Sequence, residues 1–321
     1  MNGKIIRGLI LAVLATAAVP LFGQLVVSLS FNRTRYMVHE HIFACVTIRN
    51  DSGKPLLFGD RPELQGFILF DIRDGRHVPL KRRAEREFSA TGLYIAPGEI
   101  KRIVIPLHRY YDLSAPGDYT IHAYVSHNLV PKEYRSRDVE IRVMNGTPVW
   151  EKTVGLPVGD RDGKPVERRY SINKAQGDGV FNYYLKVEDN GQLFAVTRVG
   201  REIARMKFDA QVDMLSRLHL LMPVSPKVYH YMSFNSDGMN LESTYWKTSG
   251  TIPMLYRDPK SGRVTRMGGI AARKGVDYAD PKSGNMTISD LMESNTPKAK
   301  ADGGLVDLGS DLLPKKSGDE D

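Results

Sequence analysis

A turn followed by a regular alternation at residues 113–125 constrains the fold of this chain more than any other feature. Pro116 presets a turn dihedral, and Gly117 adopts backbone conformations that residues with a Cβ resist. From there, apolar and polar residues alternate with the period of a β-strand. The predicted inward face carries Tyr119, Ile121, Ala123 and Val125. Because a buried hydroxyl needs a partner, we predict that the Tyr119 hydroxyl bonds a backbone group of residues 113–116, as in the tyrosine corner of β-sandwiches.

The same period recurs through the first half of the chain. About eight segments between residues 25 and 144 show strand patterns separated by turn residues, and no segment shows a convincing helical pattern. The predicted strands cover residues 25–31, 42–48, 55–58, 67–72, 76–80, 103–105, 119–125 and 139–143. This spacing is typical of a β-sandwich.

The turns of this region resemble those of a known family. In order, they are Asn50-Asp51-Ser52-Gly53-Lys54-Pro55, the Asp74-Gly75 hairpin after residues 67–73, Ala96-Pro97-Gly98-Glu99, and Ala115-Pro116-Gly117-Asp118-Tyr119. This series is similar to the immunoglobulin-like domain of the intracellular proteinase inhibitor family and covers about a third of the chain. The resemblance implies an immunoglobulin-like fold, and peptidase inhibition follows from it only as an alternative function.

The second half of the chain predicts further hairpins. Paired strand patterns follow one another between residues 181 and 267, whereas residues 203–215 fit a strand or a helix equally. We therefore expect an all-β protein with an N-terminal immunoglobulin-like β-sandwich over residues 24–146 and a second β-rich domain over residues 147–275. The second domain is a sandwich, a small barrel or a set of propeller-like hairpins.

The tail and the body of the chain differ in charge. Residues 276–321 hold five Lys/Arg and ten Asp/Glu, whereas the whole chain carries a formal net charge of +8. Most of this tail is predicted to be disordered. Five aliphatic residues stand out in it, and they are either a short docking motif or isolated apolar residues: Leu305, Val306, Leu308, Leu312 and Leu313.

The N-terminus predicts export. Lys4 and Arg7 precede a short apolar run at residues 9–19, and residues 20–23 are typical of the break before cleavage. We expect a signal peptide over residues 1–23, cut after Gly23, with cleavage after Ala17 or Ala18 and an uncleaved anchor as the alternatives. The mature chain would then be periplasmic or extracellular, in the bacterial cell envelope, with no stable membrane span.

Two groups of residues are candidates for binding. His39 and His41 would lie on one face of a strand as a metal pair, or else mark a solvated strand end. The densest cationic run would form an anion-binding patch or a solvated loop, and it comprises Lys81, Arg82, Arg83 and Arg86. For an exported chain, an anionic envelope polymer or a protein is a better partner than nucleic acid.

The sequence offers no catalytic constellation and no cofactor motif. The single cysteine, Cys45, is predicted to be buried and inert, and Asp160–Lys164 is typical of hairpin chemistry rather than of a calcium loop. We therefore expect a non-enzymatic binding or scaffold protein, with a peptidase inhibitor and a hydrolase assembled only by the fold as alternatives.

Overall fold

Antiparallel strands joined by short turns account for nearly all the regular structure in the computed structural model. The structure describes residues 25–83, 88–156, 166–177 and 179–279. The predicted signal peptide, Arg86, the Asp160–Lys164 turn and most of the tail lie outside these residues. In chain order the strands are β1 Leu25–Phe31, β2 Arg35–Met37, β3 Phe43–Asn50, β4 Leu56–Leu57, β5 Gly66–Asp74, β6 Tyr94–Ile95, β7 Ile100–Pro106, β8 Gly117–His127, β9 Tyr134–Arg135, β10 Val139–Met144, β11 Thr147–Gly155, β12 Glu167–Gly177, β13 Val180–Asp189, β14 Gln192–Arg201, β15 Asp209–Val212, β16 Leu218–Ser225, β17 Val228–Phe234, β18 Asn240–Lys247, β19 Met254–Arg257, β20 Val264–Met267 and β21 Ile270–Ala271.

Helical structure in the described residues is confined to two single turns. They are α1, Leu107–Tyr110, and a 3-10 turn at Pro62–Leu64. Neither has the length or the apolar character needed to cross a bilayer. The all-β prediction is confirmed.

The N-terminal strands form two facing sheets and a small third one. One sheet has the order β1-β3-β7, the second has the order β2-β10-β8-β5 with β9 added to β8, and β4 pairs with β6. The predicted facing of the side chains at residues 119–125 is confirmed. The core between the sheets contains Tyr119, Ile121, Ala123 and Val125. The Tyr119 hydroxyl donates to the Ala115 carbonyl at 2.7 Å, so the predicted hydrogen bond is confirmed.

One predicted strand of this region is wrong. Residues 76–80 return beside β5 without forming a strand: they make an isolated bridge between Pro79 and Arg73 and two backbone hydrogen bonds, from the Asp74 N–H to the Val78 carbonyl at 3.0 Å and from the Leu80 N–H to the Ile72 carbonyl at 2.8 Å. The reason is local, since His77 has a φ of 63°, and Asp74 Oδ1 accepts hydrogen bonds from the backbone N–H groups of Arg76 and Val78. These bonds favour a turn over an extended return strand.

The C-terminal strands form two open antiparallel meanders. One runs β11-β12-β13-β14 and the other β15-β16-β17-β18-β21. Their facing sides share one apolar cluster, to which the first meander contributes Tyr170 and Leu185 and the second contributes Leu220 and Phe234. The ambiguous segment contains the short strand β15. Strands β11 and β12 were not predicted. In β12 polar residues occupy buried positions, as where Asn173 Nδ2 donates to Ser171 Oγ at 2.9 Å, and β11 has no fully buried residue.

The hairpin of β19 and β20 packs on the outer side of the second meander. Its Leu255 and Val264 side chains join Leu221, Tyr229 and Tyr231 in a separate small cluster. The tip is the Asp258–Gly262 turn, in which the Ser261 hydroxyl and the Lys260 N–H bond the Asp258 carboxylate. This Asp-Pro-Lys-Ser-Gly segment therefore acts as a hairpin turn, as predicted, and its second copy at residues 280–284 lies outside the described residues.

Candidate functional site

The loop between β2 and β3 carries the two histidines predicted as a metal pair. They do not lie on one face of a strand, because β2 ends at Met37 and β3 begins at Phe43. His39 has a left-handed φ of 67°. Glu40 between them is buried and ion-paired, with Arg33 Nη2 at 2.6 Å from its Oε1. The two histidines therefore lie in a loop in which Glu40 is turned inward, and not on a strand as predicted.

His41 has a different partner, His108 of α1. The two rings stack with centroids 4.1 Å apart and an interplanar angle of 6°. Phe43 meets the His108 ring edge-on at 5.6 Å. The fold sets this contact, because Leu107 is fully buried and its N–H donates to the Ile42 carbonyl at 2.9 Å, which fixes α1 beside the 38–42 loop.

The predicted cationic run approaches the same place from another direction. The backbone N–H of Arg83 donates to the Tyr110 carbonyl at 2.6 Å, and Arg82 bridges Tyr111. Arg83 Nη2 also lies 2.8 Å from Asp112 Oδ1. Lys81, Arg82 and Arg83 are exposed. The chain segment after β5 therefore runs along the end of α1, and its Arg83 lies close enough to His108 to influence the pKa of that imidazole.

Burial and neighbouring charges shift the pKa values of these histidines. Desolvation, the adjacent His41 and the cations of Arg109 and Arg83 lower the pKa of His108 to about 4. Desolvation and Arg109 also lower the pKa of His41. For His39, desolvation and the positive charges of Lys186 and Arg83 lower the pKa. At neutral pH the imidazoles are thus uncharged rings set among fixed cations.

We call this region the basic histidine surface and define it by His39, His41, Arg83, His108 and Arg109. Arg109 is exposed on α1, and the acidic groups near this surface are Asp112, which pairs with Arg83, and Glu188, which acts on His39. The surface joins two residue groups that sequence analysis treated separately. His108 and Arg109 were not predicted as site residues. A single His-Arg pair after a strand is not a recognisable sequence motif, and only the fold brings it beside His41 and Arg83.

The surface does not have the chemistry of a metal site. Among the described residues, no group of three or more His, Cys, Asp or Glu side chains is arranged to hold a metal ion. The surrounding guanidinium groups would also repel a divalent cation. Anions are the ligands that such a surface favours.

No protein-family model, curated protein or solved structure matches this chain. Its function must therefore be inferred from its own geometry.

Two histidine arrays elsewhere combine an imidazole with a carboxylate and a tyrosine hydroxyl, and a third pairs His230 Nε2 with Ser243 Oγ at 2.7 Å. His219 Nδ1 lies 2.7 Å from the Tyr231 hydroxyl, and its Nε2 lies 3.2 Å from Asp213 Oδ2. Tyr231 is only 7% exposed, however, and its hydroxyl is committed to His219. A nucleophile must reach its substrate, so this array is better explained as a buried hydrogen-bond network.

The second array surrounds His122 on the outer face of β8. Its two ring nitrogens face different carboxylates, with Nε2 3.4 Å from Asp71 and Nδ1 3.2 Å from Asp138. The Tyr124 hydroxyl lies 2.8 Å from Nε2. Both ring nitrogens of His122 therefore have polar partners, and Arg135 Nη2 adds another at 3.1 Å from Nδ1, so this array forms a hydrogen-bonded network on the outer face of β8.

The single cysteine is buried in β3, as predicted. Desolvation raises the pKa of the Cys45 thiol above its ordinary value. A protonated, buried thiol is a poor nucleophile.

Proposed function

We propose that the protein is an exported, non-enzymatic binding protein of the bacterial cell envelope, and that its basic histidine surface binds anionic groups of an envelope polymer. The observation that carries this proposal is the convergence of Arg83, Arg109 and the His41–His108 stack from three chain segments. Guanidinium groups hold carboxylates and phosphates through paired N–H donors. Flat neutral rings between them add an apolar face for the backbone of a polymer.

The N-terminal pattern supports export in this proposal. A basic start, a short apolar run and a break at residues 20–23 are typical of a cleaved signal peptide. The intact mass of the exported protein should match a chain that begins at or close to Gln24. A soluble exported form that retains residues 1–23 would contradict this part of the proposal.

Polyanion binding tests the surface itself. The full chain is titrated with inorganic polyphosphate and with poly-L-glutamate, with neutral dextran as the blank. The double variant Arg83→Ser/Arg109→Ser should bind at least about tenfold more weakly and show a shallower salt dependence, because two fixed cations are lost.

A charge-matched variant provides the control. Arg49→Ser/Arg73→Ser removes two cations that pair with Asp51 and Asp71, away from the surface. It should bind within about twofold of the wild type. Equal losses in both double variants would mean that net charge alone drives binding, and the proposal would then fail.

A further inference from the structure

The fold places two Asn-Gly dipeptides in opposite surroundings. Asn145-Gly146 joins β10 to β11, and Asn190-Gly191 joins β13 to β14. An asparagine before a glycine can cyclise, because the glycine nitrogen attacks the side-chain carbonyl carbon and glycine has no Cβ to hinder the attack. The two atoms must first reach a separation of about 3–3.5 Å, so the local backbone must be free to rotate. A third copy, Asn2-Gly3, belongs to the predicted signal peptide and lies outside the described residues.

The second dipeptide forms the exposed tip of a hairpin. Asp189 pairs with Gln192, which leaves Asn190 and Gly191 as the two turn residues. Their φ values of 29° and 97° are both left-handed, as a two-residue hairpin turn requires. Both residues are exposed, and a Cβ built on Gly191 would have open space around it. The tip therefore projects into solvent.

A β-bulge separates this tip from the rest of its sheet. The register shifts between Val187 and Glu188, which leaves Phe194 as an extra residue in β14. Two residue pairs lie between this bulge and the turn. Asp189 also faces Arg168 Nη1 at 3.7 Å, which is too long for a hydrogen bond. Because a bulge interrupts the ladder, the tip can open locally while the other pairs of the sheet stay formed.

The first dipeptide is held at the junction of the N-terminal and C-terminal strands. Strand β10 ends one residue before it, and β11 begins one residue after it. A Cβ on Gly146 would lie 2.9 Å from Asn173 Cβ and 3.2 Å from Met37 Sδ, and both of these residues are buried. Rotation of the backbone at residues 145–146 would therefore disturb packed side chains as well as two paired strands.

We propose that Asn190 is a site of spontaneous deamidation and that the fold protects Asn145 from the same reaction. The Gly191 amide nitrogen loses its proton to a base in solution and bonds to Asn190 Cγ, and the side-chain Cγ–N bond breaks with release of ammonia. Water then opens the five-membered succinimide ring. Hydrolysis at Cγ gives aspartate, whereas hydrolysis at the backbone carbonyl gives isoaspartate, which lengthens the turn by one carbon. Both products add a negative charge beside Asp189.

Site-resolved peptide mapping of the full chain tests the proposal. The folded protein is incubated at mildly alkaline pH, and mass spectrometry follows the conversion of each asparagine to aspartate and isoaspartate. Asn190 should convert about tenfold faster than Asn145, because its tip reaches the attack geometry by local opening alone. Asn190→Gln should remove this conversion at residue 190 and leave the rate at Asn145 unchanged.

The chain denatured in guanidinium provides the control, because it keeps both Asn-Gly sequences and loses their packing. There the two rates should agree within about twofold. Equal rates at the two positions in the folded protein would overturn the proposal. A tenfold preference for Asn190 that persists in the denatured chain would also overturn it, since neighbouring sequence and not the fold would then set the rate.

Discussion

Tyr119 links the N-terminal core to the turn that precedes its strand. The ring is 3% exposed, and the hydroxyl bonds the Ala115 carbonyl. Tyr119→Phe keeps the ring and should lower the free energy of unfolding by about 1 kcal/mol. Tyr119→Ala also leaves a cavity and should cost about 3–5 kcal/mol.

Thr120→Ala is the matched control for these two variants, because Thr120 points to the opposite face of β8 and is only partly buried. Its cost in chemical denaturation should be well below that of Tyr119→Ala. Comparable costs would contradict the assigned register of β8.

His108 makes stability depend on pH. Its pKa in the folded protein is about 4, below the ordinary value of about 6.5, so protonation favours the unfolded chain. The contribution of His108 is complete above about pH 6.5 and is lost as the pH falls toward 4. Between pH 7.5 and 5.0 the loss should be about 1–2 kcal/mol.

Denaturation midpoints at those two pH values would measure the effect. His108→Gln should lose less stability on acidification than the wild type does. His77→Gln, at an exposed histidine, should lose as much as the wild type. An unchanged pH dependence in His108→Gln would contradict the assignment.

At the scale of single elements, the tip of the β19–β20 hairpin depends on Gly262. Its φ is 63°, and a Cβ there would lie 3.1 Å from Met214 Cβ. The carbonyl of Gly262 also accepts a hydrogen bond from the Met214 N–H at 3.1 Å. Gly262→Ala should therefore carry both backbone strain and crowding against the 213–217 turn.

Gly250→Ala separates these two effects. Gly250 has a similar φ of 72° but open space around its Cβ direction. Gly250→Ala should lower the free energy of unfolding by about 1 kcal/mol through backbone strain alone. Gly262→Ala should lower it by about 1 kcal/mol more, because crowding adds to the strain. Equal losses of thermal stability would show that the tip is not held against Met214.

At the scale of the whole molecule, the N-terminal and C-terminal strands are joined by a buried interface. Met37 packs with Ala175, Tyr184 and Val196 in one apolar cluster. Beside it, the buried ion pair of Arg33 and Glu40 approaches Tyr184 and Arg198. Glu40 also accepts a hydrogen bond from the Met37 N–H at 3.0 Å.

Breaking this ion pair should destabilise the molecule. Glu40→Ala leaves the Arg33 charge buried without its main partner, and should cost about 3–5 kcal/mol. The double variant Arg33→Met/Glu40→Leu removes both charges and should recover most of that loss. Denaturant unfolding of both variants tests the coupling, and a double variant as unstable as Glu40→Ala would argue against it.

Local patterns in the sequence were enough to predict most strands and their facing. Alternation placed Tyr119, Ile121, Ala123 and Val125 in the core, and turn residues placed the hairpins at Asp189–Gly191 and Asp258–Gly262. These features depend on the period of an extended chain and on the dihedral preferences of Gly, Pro and Asp, which act within a few residues. Strand β12 was missed because polar residues such as Ser171 and Asn173 occupy buried positions in it, and β11 was missed because none of its residues is fully buried.

The tertiary structure alone brought the candidate site together. His41, Arg83, His108 and Arg109 come from three distant segments, and their contacts arise because buried Leu107 fixes α1 beside the 38–42 loop. The same folding turned Glu40 inward onto Arg33 and placed the two predicted histidines in a loop instead of a strand. Such contacts depend on which apolar residues are buried together across the chain, and that long-range packing has no periodic signature in the sequence.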